Sequence, residues 1–321
     1  MKKSKTNILN MVLAQKEIGA VLPLVILMIC VLVVNPAFYG SANIFDVLRT
    51  TAFAFFLAVP VTFLMASGGM DLSIGAVVSI GGVIVGQAMR AGLPIWLSIL
   101  LAMFGGCIVG FVNGISIVKF RLPAFIITLA TQYCVNGINS VWTNGKSITG
   151  LSDSFKNLGQ YRLLGVVPIP ILYALIFGII GWIVLTQTKI GRAVLAVGGN
   201  RDAAYLAGIN VTATQVAIYV ITAAMAALTG VVYAARFGAV QTSIGSGIEL
   251  TTIAAVIIGG TSMFGGVATM VGSLLGCLLV STISNALVLM GISVYWQNLI
   301  FGLILIAALY IDRYRQKIIN S

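Results

Sequence analysis

Long apolar runs alternate with short polar tracts along the chain, and the runs predict membrane-length helices. Residues 18–34, 50–66, 72–89, 94–118, 123–142, 168–186, 212–235, 268–290 and 294–311 are apolar stretches, each near the roughly 20 residues that a helix needs to cross the hydrocarbon of a bilayer. The run at 251–260 is too short to cross alone. It is expected to be extended by its neighbours, or to be a broken or re-entrant segment. Two polar tracts, 143–167 and 189–210, interrupt the pattern. The expected fold class is all-α: a polytopic helical membrane protein of about ten spans, with eight spans plus two re-entrant pieces as the alternative. The whole chain, 1–321, is read as a single transmembrane domain.

Composition strengthens that reading. Hydrophobic residues make up 60% of the 321 and charged residues 8%, against about 25% charged in soluble proteins. The net charge of +11 is spread over tracts between the apolar runs and forms no basic patch interleaved with aromatics, which argues against nucleic-acid binding. With ten spans and an inside N-terminus, twelve of the 18 basic residues fall on the inner side. The excess predicts cytoplasmic N- and C-termini in a cell membrane. The first run follows four lysines and lacks a small-residue cleavage site, so it reads as a retained helix rather than a cleaved signal. There is no histidine, which removes the commonest general acid–base and metal ligand. Cys30, Cys107, Cys134 and Cys277 are widely spaced inside apolar runs, without metal or redox spacing. No metal, no cofactor and no enzymatic activity are expected of this chain.

Gly68, Gly69, Gly75 and Gly81 recur as Gly259, Gly260, Gly266 and Gly272 at a constant offset of 191. Glycine-punctuated broken segments in matching halves point to the working region of a transporter. The halves are expected at 43–142 and 212–312, in parallel or inverted relation. Within the first glycine tract Asp71 stands between two apolar runs. A carboxylate there is costly unless it caps a helix beginning at Leu72; substrate contact and gating are the alternatives.

Thr128, Gln132, Asn136 and Asn139 follow steps of four, four and three. That spacing puts them on one helical face, either lining a water-filled path for a neutral polyol or hydrogen-bonding between helices. Asn113, Asn285, Gln297, Asn298 and Trp296 are weaker candidates. Ala102, Gly106, Gly110 and Gly114 form a small-residue packing face. In the inner tract, Asn200 is expected to cap a short helix from Arg201 to Ala207 that Gly208 ends, either a docking element or an ordinary interfacial helix. Gly145-Lys146-Ser147 mimics the end of a phosphate-binding loop, but no strand precedes it and its first glycine would fall at Ser140.

Together these tracts resemble the permease subunits of bacterial ATP-binding-cassette (ABC) importers for monosaccharides, a family that includes ribose, xylose, arabinose and galactose permeases, with the ribose branch nearest. The resemblance runs from about residue 43 to 312. It is carried by 67–75, by 195–211 with Gly198, Asn200, Ala203, Ala204, Gly208 and Ile209, and by Glu249-Leu250, 253–262 and Gly265-Gly266. Thr251 stands where the family usually has an acidic residue, and Pro60 where it has glycine. The resemblance implies two permease copies, or one copy and a close relative, around a pathway for a sugar such as ribose. It implies a separate ATPase, which would hold the ATP, docked on the loop at 189–211, and a periplasmic or lipid-anchored sugar-binding protein on the outer face. The competing readings are an ion-coupled secondary transporter and a passive channel, for which Asp71 is the one acid placed near mid-membrane.

Overall fold

The computed structural model describes residues 18–293 together with Trp296, Leu299, Ile300, Gly302, Leu303, Ile306 and Tyr310. The expectations placed on the lysine-rich N-terminus, on Gln297 and Asn298, and on the last basic cluster lie outside the described residues. Helices dominate: α1 (Ile18–Val34), α2 (Ser41–Ala66), α3 (Ile74–Arg90), α4 (Ile95–Val118), α5 (Ala124–Thr143), α6 (Asp153–Gln160), α7 (Ile169–Gln187), α8 (Lys189–Gly199), α9 (Arg201–Leu206), α10 (Val211–Phe237), α11 (Ile248–Ile258) and α12 (Met270–Leu289). A two-residue hairpin, β1 (Arg162–Leu163) with β2 (Val167–Pro168), is the one sheet among the described residues.

Five of these helices, α2, α4, α7, α10 and α12, are both long and apolar enough to cross a membrane. The expected count of about ten is not reached on length and composition alone. Helices α1 and α3 have 17 residues each, and α5 carries polar side chains along 20 residues. The outward faces of α4 and α7 expose Trp96, Phe104, Phe111, Ile179 and Trp182, a surface that only lipid or a partner can cover.

Several boundaries move for physical reasons. Helix α2 begins nine residues before the apolar run, and Asp46 and Arg49, whose charges end the run in sequence, pair with each other one turn apart within it. Helix α3 begins at Ile74, after the break rather than at Leu72. The tract 143–167 is not an open loop. Ser152 caps α6, and Phe155 of α6 is buried against Val231 and Ala235 near the end of α10.

Small residues set the packing at the centre. Ala102, Gly106, Gly110 and Gly114 of α4 lie against α10, where added methyl groups on the three glycines would meet Ala223, Tyr219 and Val216. Gly81 of α3 meets Ala227 of α10 in the same way, and Gly230 of α10 meets Val78. Backbones this close gain dispersion contacts that lipid cannot supply. Asn285 is paired as well: it and Asn43 exchange two amide hydrogen bonds, of 3.0 and 2.9 Å, tying α12 to the start of α2.

Helix α11 remains at 11 residues, about 16 Å and half the hydrocarbon thickness. The chain reaches it as non-helical backbone. From Gly238, residues 239–247 descend along α3: Val240 lies over Gly82 and Gly86, and Gly245 lies against Gly75 and Ser79. The Gly245 N–H donates to Ser79 Oγ at 3.0 Å. Val240 is held at its outer end by a reciprocal backbone bridge to Ile148. The short run is therefore a broken segment whose upper half is unwound.

The glycine register at 191 does not superpose equivalent backbone positions. Both breaks follow a helix end, Ala66 in α2 and Ile258 in α11, which are 192 apart. The left-handed glycine comes two residues later in each, Gly68 at φ 75° and Gly260 at φ 96°. Beyond that the halves diverge, since Gly75 is helical whereas Gly266 sits in a loop at φ 77°.

Candidate functional site

Two buried polar clusters and one glycine-rich junction collect most of the residues singled out from the sequence. The first cluster surrounds Asp71. Its Oδ1 accepts from the Ser73 N–H at 2.7 Å and the Ser73 hydroxyl at 2.6 Å, and its Oδ2 accepts from Asn113 Nδ2 at 3.3 Å. Asn113 also donates to Ser73 Oγ and accepts from Thr131 Oγ1 of α5. Asp71 is thus not the cap of a helix at Leu72. It closes an Asx turn onto Ser73, the residue before α3, and at 2% exposure it is sequestered. The neighbouring Met70 is clasped by Tyr219 of α10, whose hydroxyl accepts from the Met70 N–H and donates to its carbonyl.

The second cluster joins Gln132 and Glu249, which stand in separate tracts of the sequence and are not paired by any pattern in it. Glu249, in the first turn of α11, is buried, and its Oε1 accepts from Gln132 Nε2 of α5 at 3.1 Å. Its Oε2 lies against Gly75, where a Cβ would overlap it, and has no hydrogen-bond partner. Asp71 is therefore not the sole acid of the core. Glu249 sits in a polar tract that reads as a loop, and only the packing of 239–247 on α3 reveals its depth.

The stripe on α5 is split. Thr128 and Asn139 are buried, Gln132 is half-buried, and Asn136 is exposed. The buried face of α5 runs through Thr128, Val135, Asn139 and Thr143, so Asn136 points away from this chain's core. Thr128 bonds to the Ala124 carbonyl of its own helix, and neither polar atom of the Asn139 amide has a partner. Beside Gln132 and Asn136, the unwound segment adds the exposed Gln241, Ser243, Ser246 and Gly247.

The three family-like tracts converge at one end of the helices. The Gly266 N–H donates to the Ala66 carbonyl at 2.9 Å, and Gly198 at the end of α8 fits between these two groups so tightly that a Cβ would overlap the Ala66 oxygen. Gly265, at φ 89°, packs on both Gly198 and Gly68. Gly259 abuts Gly272, so α11 and α12 meet through backbone at the second break. Asn200 Oδ1 accepts from the Ala203 N–H at 2.9 Å and caps α9, and Gly208 at φ 82° follows it. Helix α9 ends at Leu206, one residue short of expectation. Ala203 is exposed and Ala204 is buried, so the large apolar side chains displayed here are Tyr205 and Leu206, 72% and 84% exposed. Beneath α9 an open cavity of about 650 Å³ is lined by Gly68, Gly69, Arg121, Arg201, Tyr205 and Gln215, among others. Gly145-Lys146-Ser147 lies in a loop after α5 and has no strand before it.

No group of three or more potential metal ligands occurs among the described residues. The chain matches the family described as the branched-chain amino acid transport system / permease component over residues 43–309. The chain belongs to this family. It is 37% identical over 295 residues to the ribose import permease protein RbsC of Haemophilus influenzae, covering 91% of each chain. It is 36% identical to RbsC of Bacillus subtilis over 93% of each. It is 33% identical to the autoinducer 2 import system permease protein LsrC of an Enterobacter species, over 95% of this chain and 89% of that one. No solved structure matches it. This protein is accordingly a multi-pass membrane permease component of an ABC-type importer.

Proposed function

We propose that this permease carries a monosaccharide such as ribose into the cytoplasm, without catalysis of its own, as the pathway subunit of an importer whose ATP is bound by a separate ATPase. Two copies, or one copy and a close relative, face each other across the pathway. A periplasmic or lipid-anchored sugar-binding protein delivers substrate to the outer face. The N- and C-termini are cytoplasmic, in the inner membrane of a bacterial cell.

One observation carries this reading. Residues 239–247 are unwound backbone at membrane depth, and Gln241, Ser243, Ser246 and Gly247 on it are exposed from the single chain, as is Asn136 on α5. Lipid does not tolerate such a surface; it belongs against a partner or a water-filled path. The side chains there are neutral amides and hydroxyls, which suit a polyol and offer little to an ion. The ribose-permease relatives support the sugar class.

The glycine-rich junction, at the inner end, supplies the coupling. An ATPase seated on α9 and the end of α8 presses on Gly198, and Gly198 touches Ala66 and Gly266, the flanks of both chain breaks. Motion at the dock therefore reaches the α2–α3 and α11–α12 breaks without crossing a flexible linker. Reconstitution with the cognate ATPase and binding protein tests the function. ATP-dependent ribose uptake into proteoliposomes is expected, and uptake driven by an ion gradient without ATP overturns it.

A further inference from the structure

The Gln132–Glu249 pair carries an inference about substrate recognition that rests on α5 lining the path. A glutamine amide has two ends of similar shape, one accepting and one donating, and it can flip between them. A carboxylate only accepts. With Glu249 Oε1 3.1 Å from Gln132 Nε2, the amide nitrogen is committed to Glu249, and the amide oxygen is turned away from it. Glu249 cannot follow a flip. It is buried in the first turn of α11, and its other oxygen is stopped by Gly75 of α3. Three elements thus fix one side-chain orientation.

Gln132 is half-buried rather than sealed. Its free groups are one acceptor, Oε1, and one remaining N–H donor, side by side in the amide plane. A vicinal diol has the matching pattern, one hydroxyl donating and its neighbour accepting. Asn136 is exposed one helical turn further along, within the same stripe. We propose that Gln132 reads a vicinal diol of a neutral sugar in the path, and that Glu249 is the positioning residue that holds its amide in the reading orientation.

The test uses the purified permease–ATPase complex without the delivery protein, in a variant lacking Cys30, Cys107, Cys134 and Cys277 and carrying Ser246→Cys as reporter. Ser246 is exposed three residues before Glu249. A membrane-impermeant thiol reagent is applied with methyl β-D-ribopyranoside or with its 3-deoxy analogue, which keeps two hydroxyls but no vicinal pair. The reporter should react, and the full riboside should protect it at a concentration about tenfold lower than the deoxy analogue, the value of one hydrogen bond. Glu249→Gln should bring that ratio close to one. Gln132→Met removes donor and acceptor together while keeping the length of the side chain. It should assemble normally and also lose the ratio. A reporter that never reacts overturns the path assignment itself. A reporter that reacts but is protected equally by both sugars, or a full ratio retained in Gln132→Met, overturns the reading of the diol by Gln132.

Discussion

Among the tight backbone contacts of the described residues, Gly198 is the one at which both chain breaks meet. An added methyl group would overlap the Ala66 carbonyl oxygen and crowd the Gly266 N–H, and both are backbone atoms that already bond to each other. Backbone cannot swing aside as a side-chain tip does. Gly199, the next residue, has its nearest neighbour, the Gly266 Cα, 3.8 Å from where a methyl would sit. Gly198→Ala is therefore expected to cost about 1–3 kcal/mol through overpacking. Gly199→Ala should be neutral or slightly stabilising, because alanine favours the helix that ends there. Thermal midpoints of the two purified variants in detergent check this contrast, and equal midpoints would show that the junction is looser than it looks. Asp71 was conspicuous in the sequence because a lone carboxylate between apolar runs must have a purpose. Its actual partners were not readable: Ser73 is local, but Asn113 comes from 42 residues away.

At the scale of elements, apolar runs located the longer helices, whereas α6 and α8 lie in the two tracts read as polar, and errors gathered where tertiary contacts decide. Asp46 and Arg49 hid the first turns of α2 because charges end an apolar run whether or not they pair. The burial of Glu249, a residue that the family-like tract already named, stayed hidden for a different reason. Residues 239–247 carry the polar and glycine-rich signature of a surface loop, and nothing local says that such a loop can descend into the membrane. The information lies on the partner, in the small face of α3 made by Gly75, Ser79, Gly82 and Gly86. Ser79 is the polar member of that face and the acceptor for the Gly245 N–H. Ser79→Ala leaves a buried donor unmatched, a loss of about 1–3 kcal/mol. Its effect should be local: hydrogen exchange over 239–247 should speed up in the variant while α4 and α10 keep their protection. Unchanged exchange in that segment would mean that shape alone holds it on α3.

The surface of this permease component divides into three parts. Large apolar side chains cover the outside of α4 and α7, neutral polar groups mark the face of α5 and the unwound segment, and a short capped helix projects beside the glycine-rich junction. On α9 the exposed large apolar side chains are Tyr205 and Leu206, whereas Ala204 is turned inward. Exposed apolar groups on a helix too short to be stable alone make little sense in water but suit a cleft on a partner, where a few central apolar anchors dominate binding. The charges beside them, Arg201 and Asp202, sit at the rim, where single ion pairs contribute little. Leu206→Glu should therefore abolish co-purification of the ATPase and ATP-driven uptake. The thermal midpoint of the permease should not fall, because Leu206 makes almost no contact within its own chain. Ala204→Glu should lower that midpoint as well, since it forces a charge beneath α9. An ATPase that still co-purifies with Leu206→Glu at the wild-type level would move the dock away from α9, toward the cavity floored by Gly68 and Gly69 and rimmed by Arg121.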